Sequence, residues 1–127
     1  MSPADTVSRF LSAFEPSLGF KTAIHDYFTA DSVYENVGLT QSTGIEDSLA
    51  VMQGFVDQMG FDHMKVQMLA IASGGNKVLT ERIDDLYDGQ GNKLVSLRVM
   101  GVFEVRDGKI SAWRDYYDSA ALAPAST

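Results

Sequence analysis

The second half of the chain is punctuated in a way that few folds can accommodate. From Met64 onward, runs of strand length at Met64–Ser73, Val78–Tyr87, Leu94–Val105 and Ile110–Tyr117 are separated by Gly74-Gly75-Asn76, Asp88-Gly89-Gln90-Gly91-Asn92 and Asp107-Gly108. These connections are rich in residues that tolerate a positive φ, and Asp107-Gly108 is a strong two-residue hairpin signal. Connections this short join antiparallel neighbours, because parallel strands need a crossover of roughly a dozen residues or more. The result is a long antiparallel meander, and such a sheet needs apolar cover on one face.

The first half supplies that cover. Ser2-Pro3 reads as a helix N-cap followed by proline in the first turn, and Val7, Phe10, Leu11 and Phe14 repeat along one helical face until Glu15-Pro16. A second short helix is expected from Leu18, Ala23, Ile24, Tyr27 and Phe28, ending before Ala30-Asp31-Ser32. Val33–Val37 then reads as a brief strand closed by Gly38, and Leu39–Thr43 as a polar loop. The clearest helix follows Gly44: Ile45, Leu49, Met52, Val56 and Met59 share a face, Glu46 and Asp47 sit near its positive end, and Gly60 is a plausible terminator. Helices first and an antiparallel sheet afterwards is the α+β pattern, in which a curved sheet can wrap around the helices. We read one domain over residues 1–118 and a short detachable tail over 119–127.

Charge and composition remove whole classes of function. With 127 residues the chain has material for one core. Its net charge of −7, with no Lys/Arg cluster, lacks the basic footprint that neutralises nucleic-acid phosphates. The absence of cysteine removes disulfides, thiolate metal sites and cysteine nucleophiles together. The first residues have neither a basic segment nor an apolar run of the kind that directs secretion, and no apolar stretch approaches the ~20 residues that span a bilayer. These readings give the expectation of a cytoplasmic protein with neither nucleic acid nor membrane as a partner.

Strand parity points to a site. Side chains two apart on a strand share a face. Arg82 and Asp84 therefore sit with the core-like Val78 and Leu86; Trp113, Asp115 and Tyr117 share a face; and so do Tyr34 and Asn36. If those faces are concave, the interior holds an arginine, two aspartates, a tyrosine and an asparagine among apolar walls. Each buried polar group left unsatisfied costs about 1–3 kcal/mol, and an unpaired charge costs more. A domain of this size does not need that set for stability, so the constellation reads as a functional site. A solvated face or a structural ion-pair network is the alternative, and spacing alone leaves both open.

At these residues the sequence resembles the limonene-1,2-epoxide hydrolase family, a branch of the NTF2-like (SnoaL-like) superfamily. Tyr34-Glu35-Asn36 is similar to its Tyr-x-Asn strand, and Glu81-Arg82-Ile83-Asp84 to its Arg-x-Asp strand. Gly101-Val102-Phe103-Glu104-Val105, through Gly108-Lys109-Ile110 to Trp113-Arg114-Asp115-Tyr116, is similar to its last hairpin with a Trp-x-Asp signature. That hairpin alone is generic; the three motifs in this order are far more specific. The resemblance runs through the whole chain in element order as far as Tyr117. It implies a cone-shaped, strongly curved antiparallel sheet, a homodimer, and no metal or cofactor. It further implies Asp115 as general base, Asp84 as general acid, Arg82 as the bridge between them, and Tyr34, Asn36 and Asp115 as holders of the attacking water. Trp113 matches a pocket residue beside the base; Met52, Met68 and Leu86 complete the expected substrate-binding wall. The chain departs from the family pattern in a shorter N-terminal segment and in a Val37–Thr43 loop without prolines.

That chemistry explains the residue types. Hydrating an epoxide to a vicinal diol in one step, without a covalent intermediate, requires a proton delivered to the ring oxygen while water is deprotonated and attacks a ring carbon. The site must hold one neutral and one ionised carboxyl group at the same pH. The expected partners are thus a small hydrophobic epoxide and water. Two other readings compete: a ketosteroid-isomerase-like or polyketide-cyclase-like enzyme, for which Glu35 is the tempting base, and a non-catalytic binding module. Parity turns Glu35 away from Tyr34 and Asn36. His25 reads as a surface residue of the second helix and His63 as a loop residue, neither at metal spacing. Met52, Met59, Met68 and Met100 could shape an adaptable apolar pocket, and Leu79, Ile83 and Tyr87, on the opposite face, offer apolar surface to a second subunit.

Overall fold

The computed structural model describes residues 1–122. Ser2 caps helix α1 (Pro3–Ser12), its Oγ accepting from the Asp5 N–H at 3.1 Å, with proline in the first turn. Helix α2 (Phe20–Tyr27) is followed by strands β1 (Val33–Asn36) and β2 (Thr40–Thr43) and by helix α3 (Ile45–Met59), which ends at Gly60 in the left-handed conformation. Strands β3 (His63–Gly74), β4 (Lys77–Tyr87), β5 (Lys93–Arg106) and β6 (Lys109–Tyr116) form the meander. Asp107 and Gly108, with φ of 52° and 74°, close the β5–β6 hairpin as the dipeptide requires. Among the described residues no helix is long and apolar enough to cross a membrane.

The strands form one six-stranded sheet in the order β2-β1-β6-β5-β4-β3. Every neighbour is antiparallel except β1, which pairs parallel to β6. Register shifts at Met68/Ala70, Leu86/Tyr87 and Glu104/Val105 interrupt the ladders; irregularities of this kind bend strands and add twist. The curved, unclosed sheet holds α1 against its inner face. There Phe10 meets Trp113 edge-on at 5.0 Å and Phe14 does so at 5.6 Å, and Val7, Phe103 and Ile110 are buried around them. Contacts of this density hold the inner face in a fixed arrangement.

Three local expectations are corrected. Leu39–Thr43 is not a loop throughout: Thr40–Thr43 forms β2, paired antiparallel to β1 across a turn in which Gly38 has φ 86°. Its composition is polar because it is an edge strand that buries only Ser42, which bonds to Ser48 on α3 at 2.9 Å. Leu18 does not share the face of α2; it precedes the helix with φ 53°, partly exposed, where its N–H donates to the Asp62 carbonyl. His63 begins β3 instead of lying in a loop, stacked on the Tyr87 ring and paired with Asp62 at 2.9 Å. His25 is exposed on α2, as expected. The segment set apart as a tail opens with a 3-10 turn, Ser119–Leu122; residues 123–127 lie outside the described residues.

Candidate active site

On β4 the inward row is Val78, Thr80, Arg82, Asp84 and Leu86, all buried. The parallel register of β1 and β6 sets Tyr34 beside Trp113 and Asn36 beside Asp115. Strand β5 lies between β4 and β6, and Gly101 is in register with Thr80 on one side and Asp115 on the other. Its missing side chain is what lets the two strands communicate. A Cβ there would stand 2.3 Å from Arg82 Nη1 and 2.8 Å from both Asp115 Oδ1 and Thr80 Oγ1. The guanidinium therefore lies across β5 at the only width a glycine leaves.

Arg82 has 0% exposure, and each of its donors is used. Nε and Nη2 donate to Asp84 at 3.0 and 2.7 Å, Nη1 and Nη2 to Asp115 at 3.1 and 2.9 Å, and Nη1 also to Thr80 Oγ1 at 3.0 Å. Five N–H groups meet five acceptor contacts, the complete inventory of a guanidinium. Two bidentate carboxyl pairings on one cation are the arrangement in which a buried charge is tolerable. Burial alone would lower the arginine pKa, yet Asp115 and Asp84 reverse that and hold it above its ordinary value. The Asp115 carboxyl moves the other way from a surface aspartate: burial pushes it up, Arg82 pulls it down, and the charge of Asp84 pushes it up again, with a net rise.

The carboxyl groups lie in the wall of a cavity that opens to solvent. Tyr34, Asn36, Asp84, Asp115 and Tyr117 are its polar lining; Phe14, Met52, Phe55, Phe61, Met64, Leu86, Leu97, Val99, Trp113 and Leu122 are its apolar one. Tyr34 stacks on Trp113 at 4.2 Å and its phenol is pushed well above the ordinary value, by burial first and by Asp115 next, so it remains a donor. Asn36 accepts from the Tyr117 hydroxyl at 2.9 Å and donates from Nδ2 to Thr40 Oγ1 at 2.9 Å. Among the described residues Trp113 Nε1, which is buried, has no hydrogen-bond partner.

The catalytic residues expected from sequence are all brought together, while three of the methionines expected to shape the pocket stand outside its lining. Tyr34, Asn36, Asp84, Asp115, Trp113, Met52 and Leu86 line the cavity, and Arg82 stands behind it between the two carboxyl groups. Met68 is not part of the lining: it sits at the β3 irregularity, in register with Arg82, half-buried on the edge strand. Met64, opposite Leu86, lines the cavity in its place. Met100 points outward and is 52% exposed, and Met59 is half-buried on α3 outside the lining. Glu35 lies in register with Arg114 on the outer side of the sheet, away from the cavity. Thr80 and Gly101 escaped the sequence reading although each carried a signal, Thr80 the same parity as Arg82, and Gly101 an isolated glycine inside a strand, which marks a close approach. Leu122 had none, since its segment is not periodic.

Comparison with known proteins places the chain in a family. The family model of the limonene-1,2-epoxide hydrolase catalytic domain matches residues 1–126. Epoxide hydrolase EphG of Mycobacterium tuberculosis is 41% identical over 88 residues, which take in 69% of this chain and 56% of the mycobacterial protein; the match thus spans little more than half of that relative's length. A solved structure of a limonene-epoxide-hydrolase-like epoxide hydrolase from M. tuberculosis superposes with a TM-score of 0.76 at 33% identity, covering 94% of this chain and 84% of that one. An NTF2-like protein from Burkholderia pseudomallei superposes equally well, TM-score 0.76 over 96% of this chain and 95% of that one, but at 15% identity it speaks to the fold alone. The fold is NTF2-like, and the chain belongs to the limonene-1,2-epoxide hydrolase catalytic-domain family.

Proposed function

We propose that this protein hydrates small hydrophobic epoxides to vicinal diols in one acid/base step. The observation that carries the reading is Arg82, bonded to both Asp84 and Asp115 across Gly101 at the wall of an apolar cavity. One guanidinium between two carboxyl groups is neutral only when the pair holds a single proton, and a buried site disfavours the net charge that a second ionisation leaves. That supplies the neutral acid and the ionised base together.

In the reaction a water oxygen bonds to one ring carbon as the C–O bond there breaks. One water proton passes to Asp115, and Asp84 gives its proton to the ring oxygen, which becomes the second hydroxyl. The product is the epoxide plus one water; transfer of a proton from Asp115 back to the Asp84 side resets the pair. The rise of the Asp115 pKa favours this role, because a base whose pKa lies nearer the working pH accepts a proton more readily. Tyr34 and Asn36 hold the water beside Asp115, so part of its orientational entropy is lost before attack. No residue of the site serves as a covalent nucleophile in this scheme.

The substrate is expected to be largely apolar because ten of the cavity residues are apolar and four of the five polar ones have roles in handling water or protons. The second copy of the expected homodimer would cover the outer face, where Leu79 is 50%, Met100 52% and Tyr116 45% exposed, the last two in register. The test of activity is a panel of limonene oxide, cyclohexene oxide and styrene oxide with diol quantified by chiral chromatography against an Asp115→Asn control. Diol from the wild type and none from the variant is the expected outcome; no diol from a folded wild type sets the reading aside. Light scattering on the eluting protein tests the dimer, and a monomer mass would exclude it.

A further inference from the structure

Tyr117 makes a contact that the push-pull scheme does not use. It lies two residues beyond Asp115 on the same face, half-buried in the cavity wall, and its hydroxyl donates to Asn36 Oδ1 at 2.9 Å. Asn36 is the register neighbour of Asp115 across the β1–β6 pair. A terminal amide turns in a broad, roughly two-fold well, so an unanchored asparagine offers its NH₂ to a water as readily as its carbonyl. A water that is to lose a proton needs acceptors around its hydrogens. The NH₂ group would compete for its lone pairs and blunt it as a nucleophile.

Two hydroxyls fix the amide here. Nδ2 donates to Thr40 Oγ1 at 2.9 Å, and Oδ1 takes the Tyr117 proton. A phenol is a better donor and poorer acceptor than an aliphatic hydroxyl, because its lone pair is drawn into the ring. Tyrosine on one side and threonine on the other therefore select the orientation observed. The carbonyl oxygen has two lone pairs, and Tyr117 occupies one. Burial, and then the charges of Asp115 and Asp84, hold the Tyr117 phenol above its ordinary pKa, so it keeps its proton throughout the range in which Asp115 ionises.

Resting on the hydrolase reading of the site, we infer that Tyr117 is a positioning residue: through its bond to Asn36 Oδ1 it holds that carbonyl toward the water beside Asp115. One O–H of the water then donates a hydrogen bond to Asn36 Oδ1, and the other points at Asp115, which takes its proton. The inference separates Tyr117 from Tyr34, whose ring is committed to Trp113.

The test is Tyr117→Phe, which keeps the ring and removes the hydroxyl, made in the wild type and in Asn36→Ala. In the wild-type background kcat is expected to fall about tenfold, the worth of one neutral hydrogen bond felt only in the reacting arrangement, with KM changed less than twofold. In the Asn36→Ala background the same substitution is expected to do nothing further, because the group it acts through is gone. The Asn36 side-chain amide signals in a ¹⁵N–¹H spectrum give a readout independent of turnover: a shifted and broadened pair in Tyr117→Phe supports the anchor. Unchanged kcat in Tyr117→Phe, an equal loss in both backgrounds, or a change confined to KM would each overturn the inference, the last by showing that the hydroxyl touches substrate instead. Unchanged amide signals would overturn it too, whatever the activity. If the wild type forms no diol while the amide signals still respond, the hydrolase reading fails and the anchor stands.

Discussion

The two faces of strands β4, β5 and β6 carry the same kinds of charged residue to opposite effect. On the inner face Arg82, Asp84 and Asp115 are buried and bonded to one another. On the outer face Arg114 pairs with Glu104 at 2.8 Å and Arg98 with Glu81 at 3.5 Å, all partly or largely in water. Glu81 and Arg82 are adjacent in sequence, so a one-residue step along β4 separates a surface pair from a buried triad. Water solvates either partner of the outer pairs when the other is lost, and such pairs contribute about 0–1 kcal/mol. Nothing replaces a missing partner on the inner face. The difference teaches that here the geometry of burial, and not the choice of residue, turns an ion pair into a reaction site.

The sharpest way to break the comparison is Arg82→Ala, which leaves two carboxyl groups buried without a cation. It is expected to cost roughly 3–5 kcal/mol of stability and to abolish turnover, read by denaturant unfolding and the diol assay. Survival of either property near the wild-type level would place the triad in the same class as the outer pairs.

Asp115→Asn keeps the shape and removes the base. Turnover should fall about 10²–10⁴-fold with a folded protein by circular dichroism, and Asp84→Asn likewise through loss of the acid. The accompanying pH dependence has a defined sign. Because burial raises the Asp115 pKa, the base is protonated, and kcat lost, at a pH above the usual carboxylate midpoint of about 4. The folded state also holds that proton more tightly than the unfolded chain does. This contribution to stability is therefore present below the ordinary value and is lost as pH rises through the raised one. A wild-type acid limb at or below the usual midpoint would contradict the assignment.

Gly101→Ala sharpens the comparison without touching a charge. The new methyl meets Arg82, Asp115 and Thr80 at distances no Cβ tolerates, so the triad must open. A loss of about 1–3 kcal/mol is expected from the overpacking, together with most of the activity. The melting curve and the diol assay on one preparation separate the two effects. The smallest effect is expected outside: Arg114→Ala should change stability by less than about 1 kcal/mol and leave kcat unaltered, and a larger kinetic effect would mean that the faces are coupled through β6.

Parity accounts for how much of this was legible. Period two is a local property, so Arg82 with Asp84, Trp113 with Asp115, and Tyr34 with Asn36 could be assigned to common faces from the chain alone. The turns at Gly74-Gly75 and Asp107-Gly108 marked the meander for the same reason, since their φ preferences belong to single residues. What failed was non-local. Thr40–Thr43 looks like a loop until β1 offers it a partner, and Met68 has the parity of a wall residue yet, in register with Arg82, stands outside the cavity lining. Likewise nothing in residues 33–36 announces a parallel partner in 112–115.

The sequence by itself determined which residues would face the same way and where the chain would turn, because rotamers, φ limits and pleat act over a few residues. Only the tertiary structure decided which face would be closed. Helix α1 had to press on Trp113, β1 had to lie beside β6, and Gly101 had to leave its gap under Arg82 before a row of alternating charges became a buried pair of carboxyl groups bridged by one guanidinium. Desolvation is a property of the whole enclosure, and no single strand contains it.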